Sequence, residues 1–514
     1  MKRATCTTVR ELPAKFVLAL GASVSGLFAG MSMRWERETP LFCRRAVAPI
    51  GLLSALFLGL LVARTDAGAL PGSTLVLSLV GVAGGVVALL LTQRLVGFPG
   101  VAKIGALCAV LAVFTIGFNG IRLTSWASLG DLFLVMTTVV LVPVAFTSSM
   151  RPLLPGWLMA SLAVLLFAGI VSAISSDDPL AGFWPAVQFP IAVLALSIGP
   201  GLFASTRSRA VVLGAVWVWS AAINAMVAAS DALLGGHLGP DLTGVIWNAR
   251  YAGFTTHPNT LGLVCAMAFP TAIVMAASGR RMSWRVVYAV AGLILPVGVL
   301  VSGSRAGLLG IVAGVVALAL IAVPTVSKRR IVAVSCLGVV GLFVLAALQG
   351  SQSAIATIAI DRLTGQINVG YSDAGHLQNL SSAWDGFLSS PIFGTGFSSL
   401  REANNLFLQT LEAGGIIALA GFIGLVVGAI HQGLRLARSL PPGDEASPLL
   451  CGAVAGMAAW LVDGLFQNAI ADRYLYIPFA LILGLGLGCG LMARSASTSA
   501  EAWHGMPLAS GKPV

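Results

Sequence analysis

Apolar segments of about 20 residues follow one another along the chain, and this is the length that an α-helix needs to cross the hydrocarbon core of a bilayer. They are rich in Leu, Val, Ala and Gly and lack the alternating pattern of membrane β-barrel strands. The sequence therefore predicts an all-α fold, a polytopic transmembrane helical bundle of about 12–15 spans. The fifteen candidate spans, of which the first and third are the weakest, cover residues 14–32, 46–64, 72–93, 104–121, 128–147, 155–174, 185–204, 209–231, 258–277, 286–302, 306–323, 331–348, 404–430, 447–467 and 474–493.

The composition excludes a soluble protein. Hydrophobic residues make up 57% of the chain and charged residues 10%, whereas a soluble domain carries about 25% charged residues. The seven cysteines are scattered through or beside the spans, and no C-x-x-C pair occurs. Neither a disulfide framework nor a metal site is therefore expected, and no cofactor is expected either.

The net charge of +11 reflects membrane topology rather than a nucleic-acid partner. Nineteen lysines and arginines fall in loops predicted on one side of the membrane, and seven fall in loops on the other. Because basic residues accumulate on the cytoplasmic side, the C-terminus is predicted to lie in the cytoplasm. The first span follows a short basic segment that resembles a signal peptide. No convincing cleavage site follows it, so we predict an ordinary span.

The longest polar stretch, residues 349–403, lies on the predicted outer side and spans 55 residues. Loops of this length are usually functional or disordered, and its glycine-bounded turns favour a folded one. We expect an N-terminal scaffold of spans over 1–150 and a core over 151–348 that includes an external loop at 232–257. The large extracytoplasmic loop at 349–403 and C-terminal spans with a cytoplasmic tail over 404–514 follow.

The first candidate site residues are Arg250, His257 and Asn259, in the run N-A-R-Y-A-G-F-T-T-H-P-N. Pro258 suits the first turn of a helix, because its missing N–H would be unpaired there anyway, and Asn259 is a candidate to satisfy the free amides. A helix N-terminus favours anions, and an arginine beside it favours a phosphate-bearing ligand. A capped helix with a solvent-exposed arginine remains the alternative.

Arg305 is the second candidate, in the short turn V-S-G-S-R-A-G-L-L between two spans. A charge near membrane depth is usually functional or paired, although arginine can also extend to the headgroups. Two arginines from separate hairpins on one face of the membrane suggest a diphosphate clamp.

The third candidate pair is His376 and Asp373, inside the long loop. Apolar residues at helical spacing predict an amphipathic helix over 376–389, lying on the bundle or on the membrane surface and ended by Pro391. His376 would begin this helix. A histidine beside a carboxylate can accept a proton from a hydroxyl near neutral pH, or it can serve as a local hydrogen-bonding group.

Asn404 and Asn405 form the fourth candidate pair, at the start of a span that carries Gln409 and Glu412 in its first turns. An N-cap combined with interhelical hydrogen bonds is the structural alternative. Glu412 is predicted near the water boundary.

Four motifs occur in order around the long loop. They are R-x-x-G-F-x-x-H-P-N at 250–259, S-x-S-R-A-G-L-L-G at 302–310, W-x-x-F-x-x-x-P-x-F-G-T-G at 384–396, and N-N-L-F-L-Q-x-L-x-x-x-G at 404–415. With them the chain resembles the O-antigen ligase/polymerase family of bacterial membrane glycosyltransferases over about residues 155–490.

The resemblance implies a multi-pass protein of the bacterial cytoplasmic (inner) membrane whose active site faces outside the cytoplasm. It implies transfer of a glycan from an undecaprenyl-diphosphate carrier to an acceptor sugar or lipid, without metal or nucleotide sugar. The partners would be the lipid-linked donor, a glycan or glycolipid acceptor and the bilayer. Arg250 and Arg305 would hold the diphosphate, with His257 and Asn259 beside them.

One departure from the family concerns the acceptor side. Ligases of this family typically have His-Asn where this chain has Asn404-Asn405. Either His376 or Asp373 substitutes, or the chain belongs to a polymerase-like or divergent branch. A transporter or flippase of lipid-linked glycans is a further alternative, but internal charges are few (Asp131 and Asp463), and transporters place polar groups near mid-membrane. A non-enzymatic assembly partner would tolerate the loss of both arginines.

Overall fold

The computed structural model describes residues 99–121, 128–147, 154–174, 176, 179–233, 250–278, 282–321, 369–397, 403–441, 443–467, 470 and 472–489. Four predicted spans, 14–32, 46–64, 72–93 and 331–348, lie outside these residues.

The described part of the chain folds into twelve helices and contains no β-strand. Eleven coincide with predicted spans, and seven helices in this part are long and apolar enough to cross a membrane. The all-α membrane bundle predicted from the apolar segments is confirmed. The helices are α1 Pro99–Thr115, α2 Leu129–Thr147, α3 Gly156–Ile174, α4 Pro179–Phe203, α5 Arg207–Leu233, α6 Pro258–Ser278, α7 Met282–Ser302, α8 Arg305–Ile321, α9 Val369–Ser389, α10 Leu406–Ser439, α11 Ala446–Asp463 and α12 Arg473–Cys489, which opens with a 3-10 turn.

Helix α6 is the centre of the bundle. Its membrane-length window is fully enclosed by other helices, and glycines on its neighbours allow close approach. A Cβ added at Gly314 of α8 would lie 2.6 Å from the ring of Pro270, and one added at Gly456 of α11 would lie 2.5 Å from the carbonyl oxygen of Met267. Small residues therefore set the helix spacing here, as is typical of membrane bundles.

The bundle has two ends with different contents. We call the end where α6, α8 and α10 begin and α7 and α11 end the site end. Arg250, Arg305 and Arg473 lie there. At the opposite end, Arg207 at the start of α5 forms a 2.7 Å ion pair with Asp444, just before α11.

Helix α10 is broken near its start. Gly415 has φ 66° and ψ −167°, which separates a first segment, 406–414, from residues 416–439. At 1.5 Å per residue the second segment is about 36 Å long, enough to cross the bilayer. The predicted span ended at residue 430, but the helix continues to Ser439 because its last turns accommodate arginines, which the negative end of the helix dipole favours.

The two acids predicted as internal charges differ in the structure. Asp131 lies in the first turn of α2, where its carboxylate accepts hydrogen bonds from the amide (2.8 Å) and the hydroxyl (2.9 Å) of Ser128. The Nε atom of Arg473 lies 2.5 Å from the same carboxylate. Asp131 is therefore part of the cap of α2 at the site end and is paired with Arg473. Asp463 is fully buried.

Candidate active site at one end of the bundle

The guanidinium group of Arg250 joins two helix ends. Its Nε donates a 2.7 Å hydrogen bond to the carbonyl oxygen of Ser302, the last residue of α7. One Nη donates to the side-chain oxygen of Asn259 in the first turn of α6. The next amide, that of Tyr251, donates to the carbonyl of Val301 at 3.2 Å. Arg250 is only 8% exposed, so the alternative of a solvent-exposed arginine is wrong and this arginine is part of the packed structure.

The start of α6 is capped by histidine. The Nδ1 atom of His257 accepts a 3.0 Å hydrogen bond from the amide of Asn259, which satisfies one of the free N–H groups of the first turn. Accepting through Nδ1 places the proton of a neutral imidazole on Nε2. His257, and not the side chain of Asn259, therefore accepts the hydrogen bond from the free amide at the helix start. The side chain of Asn259 accepts a hydrogen bond from Arg250 instead.

The turn that carries Arg305 packs directly on α6. Gly303 has φ 61°, and the Ser304 hydroxyl caps α8 by accepting a 3.1 Å bond from the amide of Gly307. A Cβ added at Gly262 of α6 would lie 2.5 Å from the Cβ of Ser304. Arg305 is the first residue of α8, and its side chain is exposed.

The two candidate arginines are therefore on adjoining turns. Arg250 binds the carbonyl of Ser302, which precedes Arg305 by three residues. Their environments differ, because Arg250 is enclosed and Arg305 faces outward. Burial and the carboxylate of Asp231 raise the pKa of Tyr251, which lies next to Arg250 in the chain.

Asn404 and Asn405 have distinct structural roles. Asn404 has φ 50°, a left-handed conformation that asparagine tolerates better than most residues. The side-chain oxygen of Asn405 caps α10 by accepting from the amides of Phe407 (3.0 Å) and Leu408 (2.9 Å). The N-cap alternative is correct for Asn405.

The turn after α11 connects the two asparagine-bearing helix starts. The Asn405 side-chain amide donates to the carbonyl of Leu465 at 3.1 Å, and the amide of Leu406 donates to the carbonyl of Gly464 at 2.6 Å. Two residues later, the Gln467 side chain donates to the carbonyl of Asn259 at 3.3 Å. Residues 464–467, predicted as the end of a span, thus link the starts of α6 and α10.

The turn after α9 is hydrogen-bonded to the backbone of α10 at its break. The amides of Thr395 and Gly396 donate to the carbonyls of Glu412 (2.8 Å) and Ala413 (3.2 Å), and the amide of Ile416 donates to Pro391 at 2.9 Å. These bonds satisfy the backbone groups that the break at Gly415 releases. The P-I-F-G-T-G motif is therefore the partner of the broken helix.

Helix α9 extends from Val369 to Ser389, so the predicted helix is confirmed and its end before Pro391 is correct. It begins seven residues earlier than predicted, which places His376 inside it. Two turns after His376, Ala383 is buried against Ala403 and Leu408, beside the asparagine pair. Asp373 belongs to the same helix. Glu412, predicted near water, is 3% exposed and packs on Gly386 of α9.

Two acids near the site end, Asp463 and Asp472, were not among the predicted site residues. Both carboxylate oxygens of Asp463 are buried without a hydrogen-bond partner among the described residues. Asp472 accepts a 3.1 Å bond from the hydroxyl of Tyr474. Enclosure raises the pKa of Asp472, against the opposing effects of this bond and of the Arg473 charge. In the sequence, Asp463 could have been recognised as a single acidic residue in an apolar segment with the periodicity of a helix.

Comparison with known proteins adds one finding. A family model described as O-antigen ligase matches residues 289–423. The matched stretch runs from α7 through the Arg305 turn, α9, the asparagine pair and the break in α10. None of the curated proteins matches the chain. Over these residues, which are about a quarter of the chain, the protein is similar to the O-antigen ligase family.

Proposed function

We propose that this protein transfers a glycan from an undecaprenyl-diphosphate carrier to an acceptor sugar or lipid at the outer face of the bacterial cytoplasmic membrane. The observation that carries the proposal is the hydrogen bond from Arg250 to the carbonyl of Ser302. It supports a single cationic site built from two hairpins, because it fixes the turn that presents Arg305. The site end would then face away from the cytoplasm, in agreement with the distribution of basic residues.

The two arginines would share the diphosphate unequally. Arg305 is exposed at the start of α8, where the amides of the first turn and the helix dipole also favour an anion. Arg250 would contribute its charge from beneath and hold the Ser302 turn in place. The His257–Asn259 pair would complete the support, because Asn259 binds Arg250 and is itself held by His257.

The reaction follows from this placement. An acceptor hydroxyl attacks the anomeric carbon, the bond from that carbon to the phosphate oxygen breaks, and undecaprenyl diphosphate leaves with the electron pair. Arg305 would stabilise the charge that develops on the leaving group. The hydroxyl proton would pass to His376 or Asp373 of α9, with Asn404 and Asn405 orienting the acceptor at the neighbouring helix start.

Substitution of Arg305 tests this function. Arg305→Ala is expected to lower glycan transfer by about 100- to 1,000-fold, the usual effect of losing one group that stabilises developing charge. Arg305→Lys should restore little, because an ammonium cannot reproduce the planar fork of a guanidinium. Transfer is measured with purified lipid-linked donor and acceptor in proteoliposomes, and thermal unfolding of each variant serves as the folding control.

Arg250 gives the matched comparison. Arg250→Ala should lower both transfer and the melting temperature, because it removes two hydrogen bonds of a buried side chain. Arg305→Ala should leave the melting temperature unchanged. Full transfer activity in the Arg305→Ala variant would refute the proposal. A product with altered chain length but normal attachment would identify a polymerase, and a donor trapped on the cytoplasmic side in cells would identify a flippase.

A further inference from the structure

Helix α9 has three different faces. Ala383 and Gly386 face the bundle, with Ala383 buried against α10 and its preceding turn and Gly386 packed on Glu412. Gln378, Ser381 and Asp385 are exposed and polar. Between these two faces runs an apolar stripe that the other described residues leave uncovered. It consists of Leu377 (67% exposed), Leu380 (39%), Trp384 (49%) and Leu388 (57%).

The stripe is narrow and continuous. At 3.6 residues per turn, its four positions fall within about 80° of the helix circumference. The polar face begins on one edge of the stripe and the bundle face on the other. A helix that rests in a membrane surface likewise has one face in the acyl boundary and another in water.

The stripe adjoins the lipid-facing surface of the bundle. The turn after α9 brings Ile392 (57% exposed) to the start of the spanning segment of α10, where Ile416 is 55% exposed. The amide of Ile416 bonds to Pro391, so these two side chains lie at the same level. Further exposed residues, Ile423 and Val427, continue along α10. An uncovered apolar surface thus runs from α9 onto a membrane-spanning helix.

We infer that α9 lies in the interface of the bilayer leaflet at the site end, with the stripe of Leu377, Leu380, Trp384 and Leu388 inserted at the boundary between headgroups and acyl chains. The occupant of this surface is lipid, because the stripe continues the exposed apolar side chains of Ile392 and Ile416 onto a helix that is long and apolar enough to cross the bilayer. Insertion is apolar rather than electrostatic, since α9 contains no lysine or arginine.

Quenching of Trp384 fluorescence by brominated lipids in proteoliposomes tests this inference. The difference between wild type and Trp384→Phe isolates the one indole, and the substitution keeps the stripe apolar and leaves the bundle face intact. Lipids brominated near the glycerol end of the acyl chain should quench this difference signal at least twofold. The quenching should not depend on the fraction of anionic lipid.

Moving the indole around α9 supplies the control. In the Trp384→Phe background, Leu388→Trp should be quenched as Trp384 is, and Gln378→Trp, on the polar face, should not be quenched. Equal quenching at both positions, or none at either, overturns the inference. If the Trp384 fluorescence changes with the protein-to-lipid ratio and is not quenched by brominated lipid, the stripe contacts a second copy and the lipid assignment is wrong. These readouts do not depend on glycan transfer.

Discussion

Replacing Gly415 by alanine should detach the turn after α9 from α10. An added Cβ would lie 2.1 Å from the carbonyl oxygen of Ile392 and 2.6 Å from the amide nitrogen of Phe393, closer than real Cβ contacts allow. The backbone at Gly415 also has φ 66°, where a side chain adds about 1–3 kcal/mol of strain. The turn cannot remain in place without a shift of the backbone on one side.

The expected magnitude follows from the bonds that hold the turn. Three backbone hydrogen bonds join it to α10, donated by Thr395, Gly396 and Ile416. At a net contribution of about 1 kcal/mol each, their loss lowers the free energy of opening this segment by about 3 kcal/mol. Since 1.4 kcal/mol corresponds to a tenfold change in an equilibrium constant, the three amides should exchange with solvent about 100-fold faster.

Hydrogen–deuterium exchange in detergent or nanodiscs measures this effect, with peptides covering 391–397 and 412–420. Gly375→Ala is the matched control, because a Cβ there meets nothing within 4 Å and alanine favours a helix over glycine by about 0.5–1 kcal/mol. Unchanged exchange of the three amides in Gly415→Ala would show that the turn does not depend on this contact, and the account of the broken helix would fail.

Two further substitutions test the helix ends. Asn405→Ala should lower the free energy of unfolding by about 1 kcal/mol through loss of the N-cap, while Asn405→Asp keeps the capping oxygen and should lose less; equal melting temperatures for the two variants would contradict the capping role. Arg473→Ala should destabilise the protein by about 1 kcal/mol, because its ion pair with Asp131 is only partly enclosed. A double-mutant cycle with Asp131→Asn measures the coupling, and strict additivity would show that the ion pair contributes nothing.

The lengths of the apolar segments and the polar turns and prolines between them were sufficient to predict most of the described helices. The starts of α2, α3 and α6 fall within one residue of the predicted spans, because each begins where a polar turn gives way to an apolar run. The end of α9 was predicted from Pro391. Boundaries were missed where a helix continues past the apolar run, as at the arginine-bearing end of α10, and where a turn makes a tertiary contact, as at residues 464–467.

The break in α10 illustrates what local sequence cannot give. Gly414-Gly415 sits in an apolar run that otherwise continues a helix, and two glycines are compatible with that helix. The break is stable only because a segment 17–25 residues earlier supplies donors for the released carbonyls and an acceptor for Ile416. That partnership depends on tertiary contact between two motifs, which were noted separately in the sequence.

The different environments of the two candidate arginines could not be predicted from local sequence either. Arg250 and Arg305 each occupy a turn at the site end, so the sequence treats them alike. Tertiary structure separates them, because the carbonyl of Ser302 and the side chain of Asn259 converge on Arg250, while Arg305 begins a helix whose cap is supplied by Ser304. A buried arginine held by two acceptors resists displacement, and an exposed one can adjust to a ligand. Under the proposed function, Arg250 would support the site and Arg305 would contact the substrate, which is why stability and transfer should respond differently to the two alanine substitutions.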